Sequence, residues 1–470
     1  MLLYPHQQKV ARSPARFKIT RGGRRSGKTV LKTETMVFKA VSNLINLARE
    51  FPDRSVIFIA PTQKQARTII WSALKARLHG IGKANESRLE MVIPTENGGN
   101  ATIFVGGWEN RENYRGMSNV IHIEFDETDT MKDFFIGWEE IFKPMLMETG
   151  GSAGFGGTPK KENPNLRRLE KEAEDKSNWQ RFHFTSWDNP DFSREELELA
   201  REEMDGETYK QEIMAEYVDN AGALFGYDAV LDVFTNAITK SKEKYLIIDV
   251  ADDGTDKTKF SFWQGLEEYR RESFGYMTTD AKIAKTREFQ TQEQIPMSQT
   301  LVDANYGSGV AMASSPLLDG IIGYKGSYGA IRTDQDPTKL PNVHYTKGSS
   351  LVSDFKNLRS QCIFTLADLV NRHEIASKVV SKDKEAIIEE LPLYQDASKG
   401  DGKRMATTKE DIVALLGHSP DDSDTWIMRM YFVVRAQLVP GQSEDAKERA
   451  SKVARQFNMD ASFNEVNSTK

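Results

Sequence analysis

Apolar residues in the first third of the chain fall into short blocks separated by charged, helical stretches. Phe17 to Thr20 reads as a brief β-type run, a helix follows Lys28, Ser55 to Ile59 is a second apolar run, and a helix is predicted from about Gln63 to Leu78. Strand, helix, strand, helix in that order predicts parallel strands joined by helical crossovers. Further strands are predicted at Ala101 to Val105, Val120 to Phe125 and Ser152 to Phe155. Between about Asn163 and Tyr217 the pattern turns charged and helical, and Ser193-Arg194-Glu195-Glu196 has the spacing of a capping box. This stretch is expected to be a lid or connector rather than part of the sheet. A new apolar strand at Tyr245 to Val250 opens a second pattern. The expected organisation is a first core over 1–162, a helical lid or linker over 163–225, a second domain over 226–440, and a mobile polar tail over 441–470 with a helix at Asp445 to Arg455.

Composition narrows this picture without changing it. A chain of 470 residues is too long for one ordinary core. With 39% hydrophobic and 28% charged residues it has a globular composition, and no apolar run reaches the length that spans a bilayer. Met1 to Val10 lacks the apolar core of a secretory signal, and the single cysteine, Cys362, cannot form an internal disulfide. Both fit a reducing cytoplasm. The net charge of −6 is not that of a basic nucleic-acid-binding domain. Any DNA contact must then use local patches, and the loop Ser398 to Lys409, with Lys399, Lys403 and Arg404, is one candidate.

Chemistry enters with Gly22-Gly23-Arg24-Arg25-Ser26-Gly27-Lys28-Thr29, which fits GxxxxGK[ST] directly after a strand. In such a loop backbone N–H groups close around phosphate oxygens, Lys28 reaches the β- and γ-phosphates, and Thr29 ligates Mg²⁺. Val120 to Phe125 ends in Asp126-Glu127, where Asp126 would hold the Mg²⁺ shell and Glu127 would polarise the attacking water. His122 and Glu124 depart from the apolar pattern of a buried parallel strand. Ile59-Ala60-Pro61-Thr62 ends one strand as in helicase-like ATPases. Gly156-Gly157-Thr158-Pro159 ends another, where Gly157 and Thr158 are placed to sense the γ-phosphate and relay hydrolysis to the lid. Gln7 is a candidate for the adenine edge, with a surface glutamine as the plain alternative. Arg115 is a candidate arginine finger toward a neighbouring subunit, with Arg24 and Arg25 competing for that role from within.

In the second half, Asp249 stands at the end of an apolar strand and Asp303 ends another, Thr300 to Asp303. Burying an unpaired carboxylate is costly, so such residues call for a metal or a dense hydrogen-bond network. Pro420-Asp421-Asp422-Ser423-Asp424 opens a helix. Two strand ends and a helix start suit an RNase H-like fold holding two Mg²⁺ ions for phosphodiester hydrolysis. The fold expected for the chain is α/β: a P-loop ATPase domain of the ASCE, RecA-like kind with a helical lid, then an RNase H-like nuclease domain.

Taken in this order, Gly22 to Thr29, Asp126-Glu127, Gly156 to Pro159, Asp249, Asp303 and Pro420 to Asp424 resemble the large terminase subunits of tailed bacteriophages. The resemblance spans residues 1 to about 435. It implies an ATP-driven motor that moves double-stranded DNA into a procapsid and a nuclease that cuts concatemeric DNA with Mg²⁺, or with Mn²⁺ in its place. It further implies a subunit monomeric when free and forming a ring on the portal protein, a small terminase partner, and a location in the host cytoplasm. Asp249 and Asp303 resemble the family's metal ligands. The third ligand is open among Asp421, Asp422 and Asp424, with Asp421 and Asp424 preferred because positions three apart share a helix face. The competing readings are a DNA helicase, since Asp126-Glu127-Thr128-Asp129 also fits a DExD box, and a non-catalytic adapter switched by nucleotide.

Overall fold

The computed structural model describes residues 3–42, 50–96, 98–161, 163–220, 222–252, 256–331, 355–380, 382–400 and 402–436. The tail expected over 441–470 lies outside the described residues. The chain divides into two units, Met1–Asn220 and Ala221–Lys470, a few residues before the boundary expected from the sequence.

The first unit is built on an eight-stranded sheet. Its strands are β1 (Phe17–Gly22), β2 (Arg54–Ala60), β3 (Lys83–Asn85), β4 (Glu90–Pro94), β5 (Asn100–Gly107), β6 (Val120–Asp126), β7 (Ser152–Gly157) and β8 (Trp179–Phe184), in the order β3-β4-β5-β2-β6-β7-β1-β8. All neighbours from β5 to β8 pair in parallel, and the β3-β4 hairpin is added antiparallel on the β5 edge. Parallel pairing brings the carboxyl ends of β1, β6 and β7 to one edge, where ligands of open α/β sheets bind. The helix Lys28–Val41 leaves that edge from the end of β1.

Two segments depart from expectation. Gln63 to Arg77 is helical throughout but passes through a π-helical turn at Arg67–Trp71. The stretch read as lid or connector also supplies an edge strand, since β8 pairs with β1 from Phe17↔Trp179 to Gly22↔Phe184. Its residues Gln180, Arg181 and His183 are exposed, as an edge strand allows, and that polarity hid the strand. The rest of the stretch is helical at Asn165–Glu172, Arg194–Glu203 and Gly206–Glu212. Ser193 Oγ caps the second of these by accepting from the Glu196 N–H at 3.2 Å.

The second unit has a six-stranded sheet of β9 (Lys244–Asp249), β10 (Thr258–Gln264), β11 (Glu267–Phe274), β12 (Thr300–Asp303), β13 (Ile322–Tyr324) and β14 (Ala376–Ser377), ordered β13-β12-β9-β10-β11-β14. Strands β9, β10 and β11 form an antiparallel meander, and β12 then β13 add in parallel beside β9. That is the RNase H-like arrangement and not a repeat of the parallel first sheet, as a two-domain helicase would require. Side chains alternate along β9: Leu246 and Ile248 pack with Ile283, Phe289 and Met312, whereas Ile247 packs with Leu301 and with the helices Leu358–Asn371 and Asp421–Ala436. A period of two therefore sends Asp249 and Asp303 to the face covered by the Asp421–Ala436 helix. Among the described residues no helix is long and apolar enough to cross a membrane.

Candidate functional site

In the first unit the loop after β1 turns through left-handed backbone at Arg25 (φ 56°) and Gly27 (φ 91°) before entering the Lys28–Val41 helix. Gly27 meets that conformation without a Cβ penalty. Ser26 is fully buried and its Oγ donates to the Gly23 carbonyl at 2.6 Å. Lys28 Nζ donates to the carbonyls of Gly22 (2.7 Å) and Gly23 (2.9 Å) and to Thr158 Oγ1 (3.0 Å). The loop lysine and the threonine expected to sense phosphate are therefore in direct contact. Thr29 is exposed one residue further on. Burial pushes the Lys28 ammonium pKa down, with Glu127 and Asp126 opposing the shift.

Asp126 ends β6 and Glu127 follows it at the same edge, and Gly157 lies against Glu127: a Cβ there would be 3.1 Å from Glu127 Cα. Burial and then the Asp126 charge push the Glu127 pKa up, against the pull of Lys28, Lys32 and the Thr158 N–H. A carboxylate raised in this way is suited to accept a proton from water. Asp129, 1% exposed, accepts from the Leu166 N–H (2.6 Å) and the Lys160 N–H (3.0 Å), and burial pushes its pKa up to about 8. It ties the acidic segment to the chain that continues from Thr158.

The polar residues of β6 have a structural account. His122, Glu124 and Asp126 share the face toward the Lys28–Val41 helix, where Lys32 Nζ bonds Asp126 Oδ1 at 2.7 Å and lies 3.9 Å from Glu124. His122 Nε2 is 3.2 Å from Glu124, and its Nδ1 is 2.9 Å from Ser152 Oγ. Glycine on β7 makes the room, since a Cβ at Gly154 would fall 2.3 Å from Glu124 Oε2 and one at Gly156 would fall 2.9 Å from Lys32 Nζ.

Three further candidates have partners that the sequence did not indicate. Gln7 is fully buried, and its amide donates to the Gly27 carbonyl (2.9 Å) and accepts from the Tyr4 N–H (2.7 Å). It braces the phosphate loop and is not a surface glutamine. Arg24 pairs with Glu212, which also receives Lys160 at 2.5 Å. Burial raises the Glu212 pKa, but hydrogen bonds from Lys160, Arg24 and Gln211 outweigh it and hold the carboxyl down at about 2. Ser186 Oγ and Asn189 Nδ2 bond the carbonyls of Arg24 (2.7 Å) and Arg25 (2.6 Å), so the segment after β8 grips the loop. A cleft of about 550 Å³ opens beside Arg24, Arg25, Phe192 and Thr208. Arg115 is on the surface, bonded to Glu112 (2.5 Å) and Glu140 (3.3 Å) of its own unit, and none of these partners belongs to the phosphate loop.

In the second unit Asp249 and Asp303 stand at the carboxyl ends of adjacent strands, one step beyond the register pair Val302↔Ile248. Burial raises the Asp249 pKa well above its ordinary value; Asp424, Asp421 and Asp303 add to the rise and Lys409 opposes it. Asp303 is also raised by burial, although it accepts from the Asn305 N–H (3.0 Å) and Nδ2 (2.7 Å). The three helix aspartates differ. Asp422 is paired with both Lys259 and Arg271, from strands β10 and β11. Asp424 accepts from Arg359 Nη2 and Lys409 Nζ, each at 2.6 Å, and against the effect of burial these two cations hold its pKa down. Asp421 is part-exposed, with its pKa raised by burial.

Lys409, read in the sequence as the end of a candidate DNA-contacting loop, pairs with Asp424 beside Arg359 among these carboxylates. Arg404 from the same loop stacks 4.0 Å over the Phe364 ring. Among the described residues no three His, Cys, Asp or Glu side chains close into a ready metal cage. The donor set is nonetheless all oxygen, burial raises the pKa values of Asp249, Asp303 and Asp421, and an ammonium already lies among the carboxylates. Those features fit a hard divalent cation such as Mg²⁺ or Mn²⁺.

Sequence reasoning missed Lys32, Glu212, Lys160 and Arg359. Only Lys32 carried a local signal, its place one turn after Lys28 on the same helix face.

The family model described as terminase large subunit, T4likevirus-type, N-terminal, matches residues 19–231. The match covers a little under half of the chain and includes every residue from Gly22 to Glu212 discussed above. No curated protein matches the chain. Among solved structures, the large terminase ATPase domain of Thermus phage P74-26 is 22% identical with a TM-score of 0.38, over 46% of this chain and 94% of that one. The large terminase of a thermophilic bacteriophage, in complex with ADP, is 17% identical with a TM-score of 0.40, over 92% of this chain and 100% of that one. The nuclease domain of the large terminase subunit gp2 of bacterial virus Sf6 is 17% identical with a TM-score of 0.36, over 44% of this chain and 98% of that one.

Proposed function

We propose that this chain, whose residues 19–231 match the family model described as terminase large subunit, T4likevirus-type, N-terminal, is a viral DNA-packaging motor that hydrolyses ATP to translocate double-stranded DNA and cuts that DNA with a second site. The observation that carries the reading is the meeting of Lys28, Thr158 and the Asp126-Glu127 pair at one sheet edge, inside the matched residues.

In the first reaction Lys28 leaves the carbonyls of its own loop for the β- and γ-phosphates, a charge-assisted exchange favoured in a buried site. Arg24, Arg25, Ser26 and the loop N–H groups surround the phosphates. Glu127 takes the proton of the attacking water, and Thr29 with Asp126 would hold Mg²⁺. Loss of the γ-phosphate is felt by Thr158, whose hydroxyl also bonds the Gly22 carbonyl at 3.0 Å. From there Lys160 and Asp129 lead to the helices after β7.

In the second reaction Asp249, Asp303 and Asp421, with Asp424 as a further candidate, would hold Mg²⁺ or Mn²⁺. Such ions supply activated water and neutralise charge on the leaving oxygen of a phosphodiester. Arg359 and Lys409 keep Asp424 ionised and fixed. The setting is the host cytoplasm, with a ring of subunits docked on the portal of a procapsid and a small terminase subunit choosing the DNA.

Separability tests the reading. Lys28→Ala or Glu127→Gln should abolish ATP turnover and leave metal-dependent cutting of plasmid DNA intact. Loss of both activities in a variant with a normal melting curve would refute two independent sites.

A further inference from the structure

The helix after the phosphate loop carries a second lysine, and it is among the most deeply buried charged residues of the first unit. Lys32 is 2% exposed. Its Nζ donates to the Phe125 carbonyl at 2.6 Å and to Asp126 Oδ1 at 2.7 Å. Among the described residues Asp126 Oδ2 takes no hydrogen bond, so the lysine engages one carboxylate oxygen and leaves the other available. Lysine is seldom buried without a partner, and an aliphatic side chain would fill the same space without desolvating a charge. The sheet has nonetheless been opened to admit it, because a side chain at Gly156 would meet Lys32 Nζ at 2.9 Å and Cε at 3.1 Å.

We propose that Lys32 is a positioning residue of the ATPase site, pinning Asp126 from inside the sheet so that its free oxygen is presented to a nucleotide-bound cation. The inference rests on the ATPase reading of the first unit. Lys28 cannot substitute, because its ammonium bonds Gly22, Gly23 and Thr158. A carboxylate held by one oxygen is oriented before nucleotide arrives, and preorganisation of that kind is lost when a supporting group is removed. Two buried neighbours complete the arrangement. Glu124, 3.9 Å from Lys32, shares its charge, and His122 bonds Glu124 from the far side.

The test uses the full chain as wild type, Lys32→Met, Asp126→Asn and the double variant. Fluorescent ADP binding is measured with and without Mg²⁺, alongside ATP turnover and melting temperature. Binding without Mg²⁺ should stay within about twofold of wild type in Lys32→Met, since the phosphates are held by Lys28 and the loop. In Lys32→Met the gain in affinity on adding Mg²⁺ and the turnover number should each fall about tenfold or more. The double variant should melt closer to wild type than Lys32→Met, because Asp126 is no longer left as a buried carboxylate stripped of its lysine. Its turnover and Mg²⁺ gain should be no worse than those of Asp126→Asn, the non-additivity expected of residues acting as a unit. Lys32→Gln replaces Lys32→Met if the latter does not fold. Full retention of turnover and Mg²⁺ gain in the lysine variant would overturn the proposal. So would recovery of activity together with melting temperature in the double variant, which would make Lys32 a purely structural residue. Failure of the wild-type chain to bind nucleotide at all would bring down the ATPase reading, and the proposal with it.

Discussion

Asp249 is 7% exposed, takes no hydrogen bond among the described residues, and shares its surroundings with Asp303, Asp421 and Asp424. Its charge therefore works against the fold, and Asp249→Asn, which keeps the shape, should stabilise the second unit while abolishing cleavage. Single stabilising substitutions are commonly worth ~0.5–2 kcal/mol, at a cost in function where they fall in an active site. For a unit of this size each kcal/mol moves the melting temperature by roughly 2–4 °C, so a rise of about 1–8 °C is expected in EDTA. The direction with pH follows from the raised pKa. Above the ordinary aspartate value of ~3.9 the unfolded chain has lost this proton while the folded unit still holds it, so wild-type stability falls as pH rises through that window. Asparagine removes the slope, and the gap between variant and wild type should widen with pH up to the folded-state value. Added Mg²⁺ or Mn²⁺ should reverse the order, because a cation at 100 times its dissociation constant stabilises by ~2.7 kcal/mol and asparagine is a poorer ligand. Differential scanning calorimetry at several pH values, with EDTA and with metal, measures all of this. A variant that melts below wild type in EDTA, or that gains as much from metal, would refute the reasoning.

The other aspartates and the glycines give contrasting expectations. Asp422→Ala strands Lys259 in a buried site and deprives Arg271 of one partner, so it should cost ~3–5 kcal/mol; a melting temperature unchanged from wild type would contradict the pairing. Gly154→Ala drives a methyl to within 2.3 Å of Glu124 Oε2 and should cost ~1–3 kcal/mol. Gly206→Ala meets nothing within 4 Å and should be neutral or stabilising by up to ~1 kcal/mol, and equal melting shifts for the two would count against the packing argument. Arg115→Ala, which keeps its phosphate loop, and Lys28→Ala, which keeps its arginine, should each be inactive alone and regain ATP turnover when co-assembled, if Arg115 serves a neighbouring subunit. No recovery in proven mixed assemblies would move that role to Arg24 or Arg25.

How much of this was legible in the sequence depended on whether a residue's partner lay nearby in the chain. The strands at Phe17, Ser55, Val120, Tyr245 and Thr300 announced themselves as apolar runs, and a lone aspartate at the end of such a run marks itself because burial without a partner is costly. Edge strands announced little: β8 alternates exposed and part-buried residues, and its pairing with β1 lies far away in sequence. The roles of Asp421, Asp422 and Asp424 could not be ordered from spacing, because the residues that distinguish them, Lys259, Arg271 and Arg359, come from two strands and another helix. Helix periodicity groups Asp421 with Asp424; it says nothing about which of them meets a guanidinium.

The oddest feature of the sequence, a histidine and a glutamate in a buried strand, turns on the same point. His122 and Glu124 conflict with their strand taken alone, and the conflict disappears only in the register of β6 with β7, where Glu124 faces Gly154 and Asp126 faces Gly156. Neither strand is interpretable without the other: glycines at 154 and 156 weaken β7 as a strand, and charges at 124 and 126 weaken β6 as a core element. Paired, the absent side chains of one strand make the volume that holds the charges of the other, and Lys32 enters that volume from the helix to neutralise them. A charged residue in an apolar strand followed by a glycine-rich strand is therefore one signal spread over two segments, readable only once their pairing is known.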